Sequence, residues 1–336
     1  MIIHKEFSII TYFYIIKKGK GLYSATLVNK AVSTNWGVQT VLSISLFSYA
    51  IIVGIMLGLY YALMGLGLNI VFGVVRMINV AHGDLIMLGS YLAYYLLVYF
   101  GVKDEISLII SFPLFFLLGI AIYFAFVPKL QSSNDPEMNS FVLFFGLSLA
   151  IEAISFIVFG SFYHALPSSA LWGGSFSLFG FGTPHTYIAL AIISSIILFI
   201  TYIYLNKTRL GKSVRALIQN RDQAVSFGIN PTLTALVAFA FGFGVAGIAG
   251  TIGPYVFGSI YPSMGDFITV IAFTIVVIGA LGNPLSTIIG GLVFGIFYQF
   301  LEVYLPGLSL AITFFVLLAI IVVRPGGILG GAQREV

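Results

Sequence analysis

The side chains able to do chemistry in this chain are few, and the densest group is Arg76, His82 and Asp84. These residues interrupt a stretch that is otherwise apolar on both sides. Ionisable groups at membrane depth are costly, so each is a candidate for function. The alternative for Arg76 and Asp84 is a charge at the membrane interface, where a helix ends. Glu152 lies within another apolar run and has a similar alternative, snorkelling to the outer surface.

Residue patterns typical of enzymes and metal sites are missing from the sequence. The chain has no Cys, and its four His residues, at positions 4, 82, 164 and 185, lack a spacing such as HExxH. Gly211-Lys212-Ser213 resembles the end of a phosphate-binding loop, but Asn206 stands where that motif requires a first glycine. We therefore predict no catalysis, no cofactor and no metal, and we expect any ATP to be hydrolysed by a partner.

The elements that must position these residues are membrane helices. Hydrophobic residues make up 60% of the 336 residues and charged residues 8%, whereas soluble domains have about a quarter charged. Several runs exceed the ~20 apolar residues needed to cross a bilayer. We predict an all-α polytopic membrane protein with eight or nine crossings. The first span lies within 41–75, and after the polar interruption at 76–84 the apolar stretch resumes as far as residue 100. Further spans are predicted at about 106–127, 140–160, 186–205, 233–255, 267–283, 285–304 and 308–324.

Three segments follow from this division of the chain. Residues 1–40 form a poorly defined extension whose apolar part is too short to span, which leaves an interfacial helix or a misassigned start as alternatives. Residues 41–330 form the transmembrane domain, and 331–336 a C-terminal tail. The net charge of +4 comes mostly from loops beside the membrane, so nucleic-acid binding is not expected.

The loop 206–231 holds five of the 15 Lys and Arg residues. Basic loops stay in the cytoplasm, so this loop and the C-terminus are predicted inside, and 161–186 outside. The Lys-rich N-terminus then falls outside, which conflicts with the same rule. Either a further crossing or re-entrant turn lies between 41 and 84, or the rule fails there.

The same loop predicts an amphipathic helix over Ser213–Phe227, ended by Gly228. Its apolar face would hold Val214, Leu217, Ile218 and Val225, with Arg221 out of pattern. The polar face would carry Lys212, Arg215, Gln219, Asp222 and Gln223. Such a helix is either a docking element for a soluble partner or a solvated loop that only sets topology.

Two polar interruptions of apolar stretches, Asn79–Gly83 and Gly279–Pro284, echo each other. Paired breaks are typical of transporters with inverted repeats and a site at the membrane midplane. We expect the pathway to be lined by backbone groups freed at the breaks, with Asn69, Asn79, His82, Asp84 and Asn283 as candidate side chains. Small-residue stripes for close helix packing occur at Ala50-Gly54-Gly58-Ala62, Gly242-Ala246-Gly250 and Thr287-Gly291-Gly295.

Three separated motifs stand out in the sequence. The first is GLGLNIVFG (65–73) with INVAHGD (78–84) and MLGSY (87–91). The second is GKSVRA (211–216) with Gln219-Asn220, Ala224 and Gly228-Ile229-Asn230. The third is GALGNP (279–284) with Gly290-Gly291 and RPGGILG (324–330). Together they resemble the motifs of the permeases of branched-chain amino acid ABC transporters. The resemblance covers about residues 45–330. Val80 replaces the usual Phe and Asp84 the usual Glu, and the first 40 residues have no counterpart.

The resemblance implies a multi-pass subunit in the cell membrane that forms a permeation pathway with a second, homologous permease. Two ABC ATPase subunits would drive it, and an extracytoplasmic binding protein would deliver the amino acid. The loop 206–231 becomes the segment that couples to the ATPase, with Lys212, Arg215, Ala216, Gln219, Asn220, Ala224 and Gly228 as coupling residues. Urea, amides or other small solutes remain alternative substrates, and a stand-alone secondary transporter or channel is the alternative class.

Overall fold

The computed structural model describes residues 23–167 and 171–323, and its regular elements are almost all helices. The chain divides into two compact units, residues 1–49 and 50–336, and the site lies in the second. Helices α1 to α5 are Tyr23–Val75, His82–Phe100, Asp104–Gln131, Pro136–Phe159 and His185–Lys207. Helices α6 to α9 are Arg209–Gln219, Arg221–Ser226, Pro231–Ile252 and Pro254–Phe257. Helices α10 to α12 are Met264–Gly279, Ser286–Tyr304 and Ser309–Val323, and strands β1 and β2 are Ser175–Leu178 and Phe181–Pro184.

Seven of the described helices are long and apolar enough to cross a membrane: α2, α3, α4, α5, α8, α11 and the part of α1 from Ile44 to Val75. The shorter helices α10 and α12 are also apolar, which makes nine apolar segments in the described part of the chain. The predicted all-α polytopic class is confirmed. Helix α1 is continuous from Ile44 to Val75, so within the stretch 41–84, where a further crossing or re-entrant turn was considered, the first interruption is at 76–81. The predicted tail 331–336 and the RPGGILG motif lie outside the described residues.

Helix α8 forms the centre of the second unit. It is buried around most of its circumference and packs against α2 and α3. In contrast, α3 and α4 expose large apolar side chains, such as Phe124 and Ile157. Apolar side chains of this size on an outer helix surface are expected where a protein contacts lipid or another membrane subunit.

The predicted small-residue stripes meet each other. A Cβ atom added to Gly291 of α11 would collide with the backbone of Ala62 in α1, and one added to Gly295 would collide with Gly58. The stripe of α8 packs in the same way, with Gly250 against the backbone of Ile86 and Gly89 in α2. Without side chains between them the helix backbones approach closely, which is how helices gain packing energy in membranes.

The predicted amphipathic helix is two helices instead of one. Asn220 adopts an extended conformation between α6 and α7, and its side chain accepts a hydrogen bond from the Gln223 amide at 2.9 Å. The break explains Arg221, which turns outward and donates to Gln131 Oε1 at 3.5 Å. It also corrects the apolar face: Val214 and Leu217 are buried, but Ala224 occupies the buried position of α7 and Val225 is exposed.

The segment that was predicted outside, 161–186, carries the antiparallel hairpin β1–β2, with Phe176 opposite Thr183. Phe179 and Gly180 in its turn both have positive φ, as two-residue hairpin turns require. A backbone pair between His164 and Ile260 joins this segment to the connection between α9 and α10. The two segments therefore form one surface at the same end of the helices.

Candidate functional site

The first break separates α1 from α2, and its backbone groups are paired by hydroxyl side chains. The Ile78 amide donates to Ser140 Oγ of α4 at 3.1 Å. Thr269 of α10 donates to the Val80 carbonyl at 2.9 Å and accepts from the Gly83 amide at 2.8 Å. In this conformation these three freed backbone groups are paired with side chains of the protein.

Asp84 lies on the first turn of α2 and is buried at the junction of α2, α4 and α10. Ser148, in the middle of α4, donates a hydrogen bond to Asp84 Oδ2 at 2.5 Å. The backbone of Gly265 in α10 packs so closely on Asp84 that a Cβ atom there would overlap the carboxyl group. Two further carboxyl groups, Asp266 and Glu152, are close enough to act on its charge. Asp84 is therefore a buried ionisable group in close contact with a hydroxyl and a backbone segment, and its functional role stays a prediction.

Asn79 is the least satisfied residue of the break. Its side chain is fully buried, yet neither amide atom has a hydrogen-bond partner among the described residues. His82, also fully buried, uses Nε2 towards the Met64 carbonyl at 3.0 Å and leaves Nδ1 unpaired within the same part of the chain. Unpaired buried polar groups are costly, and a partner such as an ordered water, an ion or a bound solute is the usual reason that they persist.

At the second break, between α10 and α11, one side chain of α1 pairs with several groups. Asn69 of α1 is fully buried, and its Nδ2 lies 3.1 Å from the Ala280 carbonyl, 2.9 Å from the Asn283 carbonyl and 2.7 Å from Thr287 Oγ1. Its Oδ1 accepts the Gly282 amide at 2.7 Å. Each amide atom of Asn69 is thus occupied by the protein. The side chain of Asn283, by contrast, is exposed.

The second break also faces α6. A cavity of about 320 Å³ lies between them, lined on the helix side by Arg215, Ile218 and Gln219 and on the other by Gly282 to Leu285. Ile218 Cδ1 reaches within 3.2 Å of the position of a Cβ on Gly73 in α1. The residues predicted to couple with an ATPase are therefore next to a transmembrane break.

The structure places the remaining predicted coupling residues on α6, α7 and their ends. Lys212, Arg215 and Gln219 are exposed, Ala216 is half-buried and Ala224 is buried against the membrane helices. Gly228 has φ +81°, the left-handed conformation predicted for a helix stop, and Asn230 caps the start of α8. Gly211 belongs to a close contact, because a Cβ there would collide with the Tyr204 carbonyl at the end of α5.

The five candidate pathway residues form two groups. Asn79, His82 and Asp84 lie in the first break, whereas Asn69 and Asn283 belong to the second, beside α6. The partners Ser140, Ser148 and Thr269 were missed by sequence reasoning. Single hydroxyl residues are common in membrane helices, so no pattern distinguished them. In the described residues no group of His, Asp or Glu could hold a metal ion.

Comparison with known proteins agrees with this architecture. The chain is 27% identical over 295 residues to the high-affinity branched-chain amino acid transport system permease protein LivH of Salmonella typhimurium, covering 84% of this chain and 95% of that protein. It is 25% identical to the corresponding protein BraD of Pseudomonas aeruginosa, with the same coverage. The permease protein LivM of Salmonella typhimurium is 22% identical and matches 68% of this chain and 58% of its own length.

No solved structure matches the chain significantly. The family model described as the branched-chain amino acid transport system permease component matches residues 50–322, which include both breaks, α6 and α7. This agrees with the prediction of a transport subunit without catalysis of its own. The chain is a multi-pass membrane protein and belongs to the family of branched-chain amino acid transport permease components.

Proposed function

We propose that this chain is the membrane subunit of an ATP-driven importer that carries branched-chain or similar amino acids into the cell. The observation that carries the proposal is α6, which buries Val214 and Leu217 and exposes Lys212, Arg215 and Gln219. Its motif resembles the segment by which related permeases contact their ATPases. A helix with one apolar face seated on the membrane domain and one charged face free is suited to dock a soluble partner.

In this proposal the transport cycle couples two events. ATPases closing in the cytoplasm displace α6 and α7, and the two breaks change their packing between outward- and inward-open states. Asn79, His82 and Asp84 contribute to the pathway, with the unpaired atoms of Asn79 and His82 available to a polar solute in one of those states. The Gly-rich helix contacts supply the tight packing that makes such a change a switch between two states.

The partners follow from the same reasoning. A second related permease would complete the pathway, and similarity to both LivH and LivM is compatible with a pair of related subunits. Two ATPases would dock on α6 and α7 from the cytoplasm. A binding protein would deliver substrate to the opposite surface, where the hairpin and the 258–263 connection lie.

The direct test is uptake of labelled leucine into proteoliposomes that contain this chain, its co-expressed related permease and their ATPases. Binding protein is added outside, and the lumen holds ATP or no nucleotide. We expect accumulation that requires both. Uptake independent of ATP would favour a stand-alone carrier, and ATP hydrolysis without leucine uptake would point to a different solute.

Reversing one charge tests the docking role of α6. Arg215→Glu is expected to abolish leucine uptake while the chain still inserts, because Arg215 is exposed and supports no described buried contact of the membrane core. Gly228→Trp is expected to do the same by straining a left-handed residue. Lys129→Glu, a charge reversal at an exposed position in the last turn of α3, serves as control; the sequence placed Lys129 in a loop, but α3 continues to Gln131. Unchanged uptake in both α6–α7 variants would remove the ATP-driven interpretation.

A further inference from the structure

Asn69 makes contacts that a helix-packing residue does not need. This one side chain of α1 reaches two carbonyls and one amide of the second break, and the hydroxyl of Thr287 in the first turn of α11. Ser286 adds hydrogen bonds to the same carbonyls, those of Ala280 and Asn283. The turn between α10 and α11 is therefore held from both sides, by Asn69 of α1 and by Ser286 of α11.

Gly73 lies one helical turn after Asn69 on α1, at the point where α6 contacts both α1 and the turn between α10 and α11. A Cβ on Gly73 would lie 3.0 Å from the Gly282 carbonyl and 3.2 Å from Ile218 Cδ1 of α6. Three elements thus touch at one point: α1, the fastened turn and α6. Two residues further along α1 the helix ends at Val75, and the first break begins.

The cavity of about 320 Å³ between α6 and the turn gives α6 room to move towards the turn. The other side of the turn is already filled by α1 and α11, since Gly279 packs directly on the Ser286 backbone. Close-packed interiors transmit displacement, whereas cavities absorb it. A push on α6 would therefore close the cavity and then act on the turn and α1 together.

We infer that Asn69 is the positioning residue that makes the turn 280–285 and the end of α1 move as one body, so that motion of α6 reaches the first break. We call this path a relay: it runs from Ile218 through the turn and Asn69 to the end of α1. The inference rests on the proposed ATP-driven function. It assigns Asn69 a role in coupling, in contrast to a role in contacting the solute. Spatial adjacency alone does not prove coupling, so the test measures energetic interaction.

The first variant is Asn69→Asp, which keeps the size of the side chain but aims a carboxylate oxygen at the carbonyls of Ala280 and Asn283. In proteoliposomes with the full complex, we expect uptake per ATP hydrolysed to fall about tenfold, within the range that single residues contribute to coupling networks. Basal ATP hydrolysis is expected to stay close to that of the unmodified complex. Asn139→Asp, the same change at an exposed position of α4, is the control and is expected to leave both rates unaltered.

A double-mutant cycle distinguishes a relay from two separate defects. If Asn69 and Ile218 act in series, Asn69→Asp combined with Ile218→Ala should lower uptake per ATP no further than the more severe single variant. Losses that multiply would overturn the relay, as would full coupling in Asn69→Asp. If Asn69→Asp prevents assembly, Thr287→Val, which removes only one acceptor, replaces it under the same criteria.

The unmodified complex separates the two levels of inference. If it shows no ATP-dependent uptake, the proposed function fails and the relay fails with it. If the unmodified complex is active and Asn69→Asp is equally well coupled, only the relay fails.

Discussion

Asn69 and Asn79 are the same residue type ten positions apart, both fully buried, and the structure gives them opposite environments. Asn69 has a protein partner for each amide atom, whereas Asn79 has none among the described residues. A paired buried amide stabilises the state in which it is paired, and an unpaired one destabilises its state. In our proposal the two residues therefore belong to different parts of the mechanism: Asn69 connects elements, and Asn79 lies in the site whose polar groups change partners.

This contrast predicts opposite effects of one substitution. Asn69→Leu should lower stability by about 1–3 kcal/mol, because it leaves buried backbone groups unpaired. Asn79→Leu should be neutral or stabilising in thermal unfolding of the detergent-solubilised chain, yet it should reduce uptake if the amide binds a solute in another state. Equal destabilisation by both variants would show that Asn79 has a partner after all.

Among the elements, α6 and α7 differ most from the sequence-based expectation. Helical spacing alone predicts one helix that continues through Asn220. In the structure Asn220 is instead the N-cap of a second helix, α7. Asn favours caps because its side chain replaces the missing backbone acceptor. The break orients Arg221 outward and Ala224 inward, so the charged face presented to a partner is larger than one straight helix would give.

The contact between α1 and α11 carries a prediction for helix packing. Gly291→Leu should destabilise the chain by about 1–3 kcal/mol or more, because the new side chain overlaps the Ala62 backbone and must force the two helices apart. Gly146→Leu on α4 is the matched control, since no atom lies within 4 Å of its Cβ position. Thermal unfolding and the yield of folded protein in detergent measure both. Similar losses in the two variants would show that the stripe contact is not the cause.

For the whole molecule, the distribution of burial separates a packed centre, α8 with the second half of α1, from an apolar periphery, α3 and α4. The two breaks lie in the packed part, where backbone groups find partners in neighbouring helices. Irregular backbone inside a membrane is tolerated where it is buried in protein or lines a water-filled cavity. The pathway in our proposal therefore belongs to the interior of the second unit and to the face that meets a second permease.

The orientation of this molecule is open to a direct test, because the chain has no Cys and one introduced thiol is unique. Ser226→Cys on α7 and Ser177→Cys on β1 place a thiol at exposed serines on opposite sides in our assignment. We expect a membrane-impermeant thiol reagent to label Ser177→Cys in intact cells and Ser226→Cys only after permeabilisation. The reverse pattern would overturn a cytoplasmic location of 206–231 and of the C-terminus.

The sequence by itself determined those features that depend only on residues close to one another along the chain: the membrane helices, the small-residue stripes and a helix end. Apolar length defined the membrane helices, small residues at every fourth position defined the contact stripes, and Gly228 defined a helix end. The motifs identified the family. These signals are local, so they survive without knowledge of the packing.

Only the tertiary structure decided which groups pair across the chain. The partners of Asn69 lie more than 200 positions away, at a sequence separation of 211 for Ala280 and 218 for Thr287. Ser148, Thr269 and Ile218 gain their roles in the same way, from helices that meet only after folding. Every transmembrane helix is apolar, so its hydrophobicity does not indicate which face contacts which neighbouring helix. Close packing of the helices decides that, and it thereby decides which polar groups meet.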